Sequence, residues 1–231
     1  MKTLVIVAHP EITSSATQSF LREGVKDLPD VLWHRVDELT EDDVQNERQL
    51  LMTADRIVFQ FPLYWYAAPA SLKHWADLVF SQKLFKRGDQ YPLQDKEVAV
   101  VVTTGKPLNQ FQAGGSVGFT LDELLSSMRA ITHEAHATWL QTFSVTQFSY
   151  MSEDQKMTLL INYQRYLTQP APDNFSHREK WYAQRLQQYL KLAPESESRV
   201  LEMIQTEILA NHDKIQELQS TLAMIKEGEE E

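Results

Sequence analysis

The residues best suited to chemistry form an aromatic run, LYWY at positions 63–66, directly behind a short apolar segment. That segment, RIVFQF, has the length and composition of a buried strand, and Pro62 ends it because proline cannot donate to a ladder. Pro69 suits the first turn of a helix, whose apolar positions recur at helical spacing over 72–80. Aromatic faces and backbone amides in such a loop could hold a planar ligand. Taken alone, such an aromatic cluster more often packs beneath a loop that binds nothing.

A second loop has the composition of an anion site. The apolar run TLVIVA ends at His9 and Pro10, and the hydroxyl-rich segment TSSAT at 13–17 precedes a helical pattern. Free backbone amides, hydroxyl groups and the positive end of a helix dipole together favour a phosphate. Serine and threonine are also ordinary N-caps, so a purely structural role is equally consistent with this segment.

A third unusual loop, TTGKPLNQFQAGG, follows the apolar run EVAVVV at 97–102. Gly105, Gly114 and Gly115 permit backbone angles and close approaches that other residues do not.

These loops belong to a chain in which strands and helices alternate, which predicts parallel βαβ units. Capping boxes at Thr120/Glu123 and Ser152/Gln155 begin two of the helices. Five strands are predicted, at residues 3–8, 31–36, 56–61, 97–102 and 138–145. We therefore predict an α/β fold, a flavodoxin-like doubly wound parallel five-stranded sheet of order 2-1-3-4-5 with a C-terminal helical extension. In that order the loops after strands 1, 3 and 4 converge at one rim, and they are the three loops described above.

The motifs FPLYWYAAPASLKHW, TTG and FQAGG…FTLDELL resemble those of the flavodoxin-like NAD(P)H:quinone oxidoreductase family. The family includes DT-diaphorase and the ancillary flavoproteins of glutathione-gated potassium efflux systems, and the resemblance covers residues 1–168. It implies a flavin-dependent enzyme that binds FMN or FAD, takes hydride from NAD(P)H through N5 of the flavin, and reduces quinones or similar two-electron acceptors by a ping-pong mechanism.

The resemblance also implies roles for individual positions. Carried over, the phosphate and ribityl chain of the flavin would be held by His9, Ser15, Ala16, Thr17 and Gln18. The isoalloxazine ring would be lined by Leu63, Tyr64, Trp65 and Tyr66, and its pyrimidine side would be bound by Thr103, Thr104, Gly105 and Lys106. The substrate pocket would include Phe111, Gly114, Gly115 and Ser116.

Three positions depart from the family pattern. Lys106 stands where a second glycine is common, Phe111 where many members have tyrosine, and Ser116 near a position where some have histidine. The missing tyrosine and histidine are credited with protonating or polarising the quinone, and general acid catalysis contributes about 10²–10⁴-fold. No catalytic side chain is therefore assigned. A flavin-binding regulatory subunit with little activity, acting on a partner such as a potassium efflux system, remains the alternative.

Composition excludes several classes of function. The chain has no cysteine, which rules out disulfides and cysteine-ligated metals, and its net charge of −10 offers no basic stripe for nucleic acid. No stretch reaches the ~18 apolar residues of a membrane span. We predict a cytoplasmic protein. His133-Glu134-Ala135-His136 resembles a zinc motif, but its histidines are three residues apart rather than four, so no metal site is predicted.

The chain beyond residue 168 exceeds what the sheet domain needs. We predict an extra helix and linker over 169–194, with a capping box at Ser176/Glu179 and a helix to about Leu192, and then a heptad-patterned helical tail over 195–231. The tail has ten acidic and three basic residues. Its apolar seam contains one polar member and comprises Leu201, Ile204, Ile208, Asn211, Ile215, Leu218, Leu222 and Ile225. Such a helix either packs on its own domain or associates, and we predict that it reinforces a homodimer.

Overall fold

The computed structural model describes residues 1–38, 40–191 and 194–229. It divides into two compact units, Met1–Thr168 and Gln169–Glu231.

The first unit contains a parallel sheet in the order β2-β1-β3-β4-β5, with β6 also pairing to β4. The strands are β1 (Thr3–Val7), β2 (Val31–Arg35), β3 (Arg56–Pro62), β4 (Glu97–Thr104), β5 (Thr138–Trp139) and β6 (Phe143–Thr146). Residues of β1 and β3 are buried throughout, because helices cover both faces of the sheet. The predicted flavodoxin-like class and strand order are confirmed, with six strands instead of five.

The extra strand arises because the predicted strand 138–145 is interrupted. Trp139 pairs with Val98 and Phe143 with Val101, so the last strand carries one more residue than β4 over this interval. This is the geometry of a β-bulge, which hydrophobic patterning does not predict.

Alternate residues of the central strands enter two separate hydrophobic cores. Leu4 and Ile6 pack on one face, beside Trp75, whereas Val5 and Val7 pack on the other, beside Leu21. The helices of this unit are α1 (Ala16–Glu23), α2 (Val44–Thr53), α3 (Ala70–Val79), α4 (Gln82–Phe85), α5 (Leu121–Leu124), α6 (Ser126–Glu134) and α7 (Glu153–Thr168). Both predicted capping boxes are present, at Thr120/Glu123 and at Ser152/Gln155.

The second unit contains two helices, α8 (Phe175–Leu190) and α9 (Glu195–Glu229). The capping box predicted at Ser176/Glu179 is wrong: the N-cap is Asn174, whose side chain accepts from the His177 amide at 2.8 Å. Glu179 instead contacts α9, where its Oε2 lies 2.5 Å from His212 Nδ1. Leu192, the predicted end of the first of these helices, lies outside the described residues.

Among the helices that the structure describes, we find none with the length and apolar character needed to cross a bilayer.

Candidate functional site

A groove of about 270 Å³ opens at the carboxyl ends of β1, β3, β4 and β6. Open α/β sheets bind ligands at this rim, where the strand order reverses. The lining residues come from four loops, and they are His9, Ser15, Thr17, Pro62, Leu63, Tyr64, Thr103, Thr104, Gly105, Val145, Gln147, Phe148, Ser149 and Tyr150.

His9 is held in one orientation by the loops around it. Its backbone amide donates to both oxygens of Asp37, at 2.9 and 3.1 Å, and its Nδ1 accepts from the Glu11 amide at 3.1 Å. An Nδ1 that accepts must be unprotonated, so the proton of the neutral ring lies on Nε2. Burial lowers the pKa of His9, although the Asp37 carboxylate opposes this. His9 therefore offers the groove a neutral N–H donor at Nε2.

Asp37 joins three elements beneath the groove. Besides the His9 amide, it accepts from Arg35 Nε at 2.9 Å and from Ser71 Oγ at 2.7 Å. These bonds connect the end of β2 to the first turn of α3, and they fix the loop that carries His9.

The first turn of α1 leaves backbone donors for a ligand. Ser15 is its N-cap and accepts from the Gln18 amide at 3.3 Å. The amides of Ala16 and Thr17, the first two helical residues, make no hydrogen bond to the described part of the chain. Two free amides, the Thr17 hydroxyl and the helix dipole make this turn suitable for an anion.

Gln18 does not line the groove but belongs to a buried amide chain beneath it. Its Oε1 accepts from Gln60 Nε2 at 2.7 Å, and Gln60 Oε1 accepts from the Tyr163 hydroxyl at 2.6 Å. Burial raises the pKa of the Tyr163 phenol, which therefore stays a donor. The Gln18 Nε2 is buried without a partner in the described residues, so one donor next to the anion-binding turn is unsatisfied.

The aromatic loop after β3 is a tight, strained turn. The amide of Tyr64 donates to the Ala67 carbonyl and the Ala67 amide to the Tyr64 carbonyl, both at 3.0 Å. Trp65 and Tyr66 between them have φ of 48° and 64°, as in a type I′ turn, where glycine or asparagine is usual. Trp65 is 94% exposed. Strain of this kind is concentrated at functional sites.

The loop after β4 is joined to the aromatic loop, because the Leu63 amide donates to the Thr103 carbonyl at 2.8 Å. Thr103, Thr104 and Gly105 line the groove. Lys106, whose amide donates to Thr104 Oγ1 at 3.2 Å, is exposed and does not line it.

The four residues predicted to form the substrate pocket do not line this groove. Phe111 is buried in the hydrophobic core and does not line the groove, because the loop turns back after residue 107 and points this ring inward. Gly114, Gly115 and Ser116 also lie outside the groove lining, in a loop that Gln110 holds together by accepting from the Ser116 amide at 3.1 Å.

Of the remaining predicted residues, eight line the groove: His9, Ser15, Thr17, Leu63, Tyr64, Thr103, Thr104 and Gly105. The other three, Ala16, Trp65 and Tyr66, are close in sequence to lining residues but do not line the groove themselves.

The loop after β6 is a contributor that the sequence reasoning missed. Gln147, in a left-handed conformation with φ of 52°, donates its amide to the Thr104 carbonyl at 2.9 Å. Val145, Phe148, Ser149 and Tyr150 follow along the groove. A signal was available, because a fifth parallel strand must end at the same rim as the other four.

A family model described as "Flavodoxin-like fold" matches residues 1–168. The chain belongs to this family. The match ends where the first structural unit ends, so it does not include α8 and α9.

Two curated relatives are similar to most of the chain. The uncharacterized NAD(P)H oxidoreductase YdeQ of Bacillus subtilis is 37% identical over 83% of this chain and 94% of its own length. The glutathione-regulated potassium-efflux system ancillary protein KefG of Yersinia enterocolitica is 30% identical over 70% of this chain and 88% of its own.

Two solved structures are similar to the sheet domain. An NADPH-quinone reductase from P. pentosaceus is 42% identical with a TM-score of 0.69. The match covers 74% of this chain and 100% of that one. The general stress protein 14 of Treponema denticola, solved in complex with FMN, is 26% identical with a TM-score of 0.64, over 72% of this chain and 98% of that one.

Proposed function

We propose that this protein is an FMN-dependent NAD(P)H oxidoreductase that reduces quinones or similar two-electron acceptors. The observation that carries the proposal is the single groove at the sheet rim. It joins an anion-binding helix turn after β1 to a strained aromatic turn after β3 and a TTG loop after β4. The names of the oxidoreductase and quinone reductase relatives support this reading.

The residues present fit a flavin phosphate at one end of the groove. The neutral His9 Nε2–H, the Thr17 hydroxyl and the free amides of Ala16 and Thr17 would hold it, and the unsatisfied Gln18 Nε2 lies in the same turn. Among the described residues no lysine or arginine lines the groove. The phosphate would therefore be bound by dipoles and neutral donors.

At the other end, the exposed turn of Tyr64, Trp65 and Tyr66 would cover a face of the ring system, and the backbone of Thr103 to Gly105 would meet its polar edge. A bound flavin supplies hydride transfer between a nicotinamide and an acceptor. The protein would orient the reactants in contact, which contributes about 7–11 kcal/mol in favourable cases. With Phe111 in the core, no side chain is assigned as a general acid.

FMN is favoured over FAD by two considerations. The groove volume of about 270 Å³ is near the lower end of the ~300–1,000 Å³ typical of small-molecule sites. The similar protein from Treponema denticola was solved with FMN. Mass spectrometry of cofactor released by heat from the purified protein would distinguish the two.

A flavin-binding ancillary subunit with little activity is the second candidate, favoured by the similarity to KefG and by the absence of an assigned general acid among the residues that line the groove. An anaerobic titration separates the two candidates. Yellow protein that is bleached by NADH or NADPH and coloured again by menadione supports the enzyme. Yellow protein that neither nucleotide bleaches supports the subunit, and colourless protein that does not bind added FMN contradicts both.

A matched pair of variants tests the phosphate end of the groove. Thr17→Asp places a carboxylate in the anion site, where it repels a phosphate, yet an acid in the first helical turn stabilises α1. Ser19→Asp introduces the same charge two residues later, at an exposed position outside the groove. We expect FMN to bind Thr17→Asp at least about tenfold more weakly while Ser19→Asp retains it. Equal retention by both variants would place the phosphate elsewhere.

The cytoplasmic location and the homodimer predicted from the sequence remain proposals. For the homodimer, the second unit provides the relevant observations.

A further inference from the structure

Helix α9 carries an exposed apolar stripe with a symmetric spacing. Ile204 and Leu218 are each seven residues from Asn211, and Val200 and Leu222 are each eleven residues from it. Seven and eleven residues are close to whole numbers of helical turns, so all five positions share one face. The four apolar side chains are between 46% and 63% exposed. They do not belong to the side of α9 that packs along α8, where Leu201, Ile208 and Ile215 are half-buried.

The predicted seam is therefore divided between two sides of the helix. One side of α9 packs on α8, as the contact between Glu179 and His212 shows, whereas the other side carries the exposed stripe. The four apolar side chains of the stripe centred on Asn211 are about half exposed, and Asn211 Nδ2 donates to Glu207 Oε1 of the same helix at 3.3 Å.

Helix α8 extends the same surface. Phe175, Tyr182 and Tyr189 recur every seven residues, and all three are exposed. Helices α8 and α9 run antiparallel. Viewed from one end of the pair, successive residues therefore turn clockwise along one helix and anticlockwise along the other. At about 100° per residue, the aromatic line of α8 and the stripe of α9 both lie to the same side of the plane through the two helix axes.

The stripe is complementary to an inverted copy of itself. When two α9 helices lie antiparallel about a two-fold axis at Asn211, Ile204 of each meets Leu218 of the other, and Val200 meets Leu222. The two Asn211 amides meet at the axis, and an amide can both donate to and accept from its own kind.

The charged residues beside the stripe are arranged with the same two-fold symmetry about Asn211. Glu207 precedes Asn211 by four residues and Lys214 follows it by three, and both side chains are exposed beside the stripe. In the antiparallel arrangement, Glu207 of one copy lies level with Lys214 of the other, twice per pair. A parallel arrangement would put Glu207 level with Glu207 of the other copy, on the opposite flank of the contact, and would form no Glu207–Lys214 pair.

We propose that this face of the α8–α9 hairpin, the hairpin face, binds a second copy of the chain through antiparallel α9 helices. Its seven apolar side chains are each about half exposed, and at roughly 200 Å² each they offer on the order of 700 Å². A standard interface takes about 800 Å² from each partner. The stripe thus has the area, the apolar pattern and the charge order that a symmetric dimer requires.

The first test is the solution mass of the full chain by light scattering. The expected mass is twice the 26.8 kDa of one chain. Ile204→Glu places a charge in both symmetric apolar contacts and should weaken association by at least about a hundredfold. Leu209→Glu is the matched control, because Leu209 is an exposed apolar residue on the opposite flank of α9, and it should leave the mass unchanged.

The second test distinguishes the antiparallel arrangement from other dimers. Glu207→Lys and Lys214→Glu should each weaken association about tenfold, because each replaces two attractive pairs by repulsive ones. The double variant restores opposite charges between copies and should recover most of the affinity. The two residues are seven apart on one helix, so rescue cannot come from a contact within α9.

Each result decides the proposal. A wild-type chain with the mass of one copy overturns it, as does a dimer that survives Ile204→Glu, or a charge swap without rescue. Far-UV circular dichroism should be unchanged in every variant. Flavin content should also be unchanged, because the residues that line the groove belong to the first unit, so flavin binding tests the proposed function and the solution mass tests the hairpin face.

Discussion

The strained turn after β3 predicts opposite effects of one substitution on stability and on cofactor binding. Trp65 holds φ at 48°, and a left-handed conformation costs a residue with a side chain about 1–2 kcal/mol. Glycine removes that cost but adds about 0.5–1 kcal/mol of unfolded-state entropy. Since the indole is 94% exposed, little burial is lost. The free energy of unfolding of flavin-free Trp65→Gly should therefore stay the same or rise by up to ~1.5 kcal/mol.

The effect on flavin binding should have the opposite sign. Stacking between aromatic rings contributes about 0.5–1.5 kcal/mol. Covering roughly 50–100 Å² of the indole adds about 1–2.5 kcal/mol at 25 cal/mol per Å². A combined loss of about 1.5–4 kcal/mol corresponds to an FMN affinity roughly ten- to thousandfold weaker.

Urea unfolding of flavin-free protein and a fluorescence titration with FMN measure the two quantities. Trp65→Phe is the control: it keeps an aromatic face and the backbone strain, and should bind FMN within a few-fold of wild type. The reasoning fails if Trp65→Gly binds FMN as tightly as wild type. It also fails if the flavin-free variant is destabilised by more than about 1 kcal/mol, because the indole would then be packing against the protein.

Three further substitutions test the support around the groove. Tyr163→Phe leaves a buried amide oxygen without its donor and should cost about 1–3 kcal/mol in urea unfolding; a loss below about 0.3 kcal/mol would show that the amide chain rearranges. Gly115→Ala would put a methyl group 2.4 Å from the Gln110 carbonyl oxygen, whereas Gly105→Ala meets nothing within 4 Å, so only the first should lower the melting temperature of flavin-free protein. Because burial lowers the pKa of His9 from 6.5, the unfolded chain binds the proton first, and the free energy of unfolding should fall as pH drops below about 6.5, less steeply in His9→Asn. Equal slopes between about pH 7.5 and 5.5 would contradict the last expectation.

A strand or a helix start was predicted correctly where a single local sequence pattern was enough to identify it. Apolar runs located the strands, and reciprocal Ser/Thr and Glu/Gln spacing located the starts of two helices. It failed at Ser176, where the same spacing occurs but Asn174 begins the helix instead. Several capping residues compete there, and the pattern alone does not rank them.

Prediction of the groove lining was incomplete for a different reason. Whether a loop residue faces outward or inward depends on the backbone path, and the path after residue 107 turns Phe111 into the core. The position of Gln147 depends on an amide that bonds to Thr104, more than forty residues earlier in the chain. Similarly, the α9 pattern indicated an association surface but could not say which apolar residues would pack on α8.

The extra residue between β5 and β6 has a consequence for engineering this rim. Because residues 139–143 span one residue more than Val98–Val101, deleting one residue from 140–142 would let the ladder with β4 continue unbroken. The pairings of Trp139 with Val98 and of Phe143 with Val101 would both be kept, so every side chain from Phe143 onward would stay on its present face of the sheet. The pairing of β6 with β4 thus fixes the position of the loop after β6, and this loop could be grafted from a relative without the irregularity that precedes it.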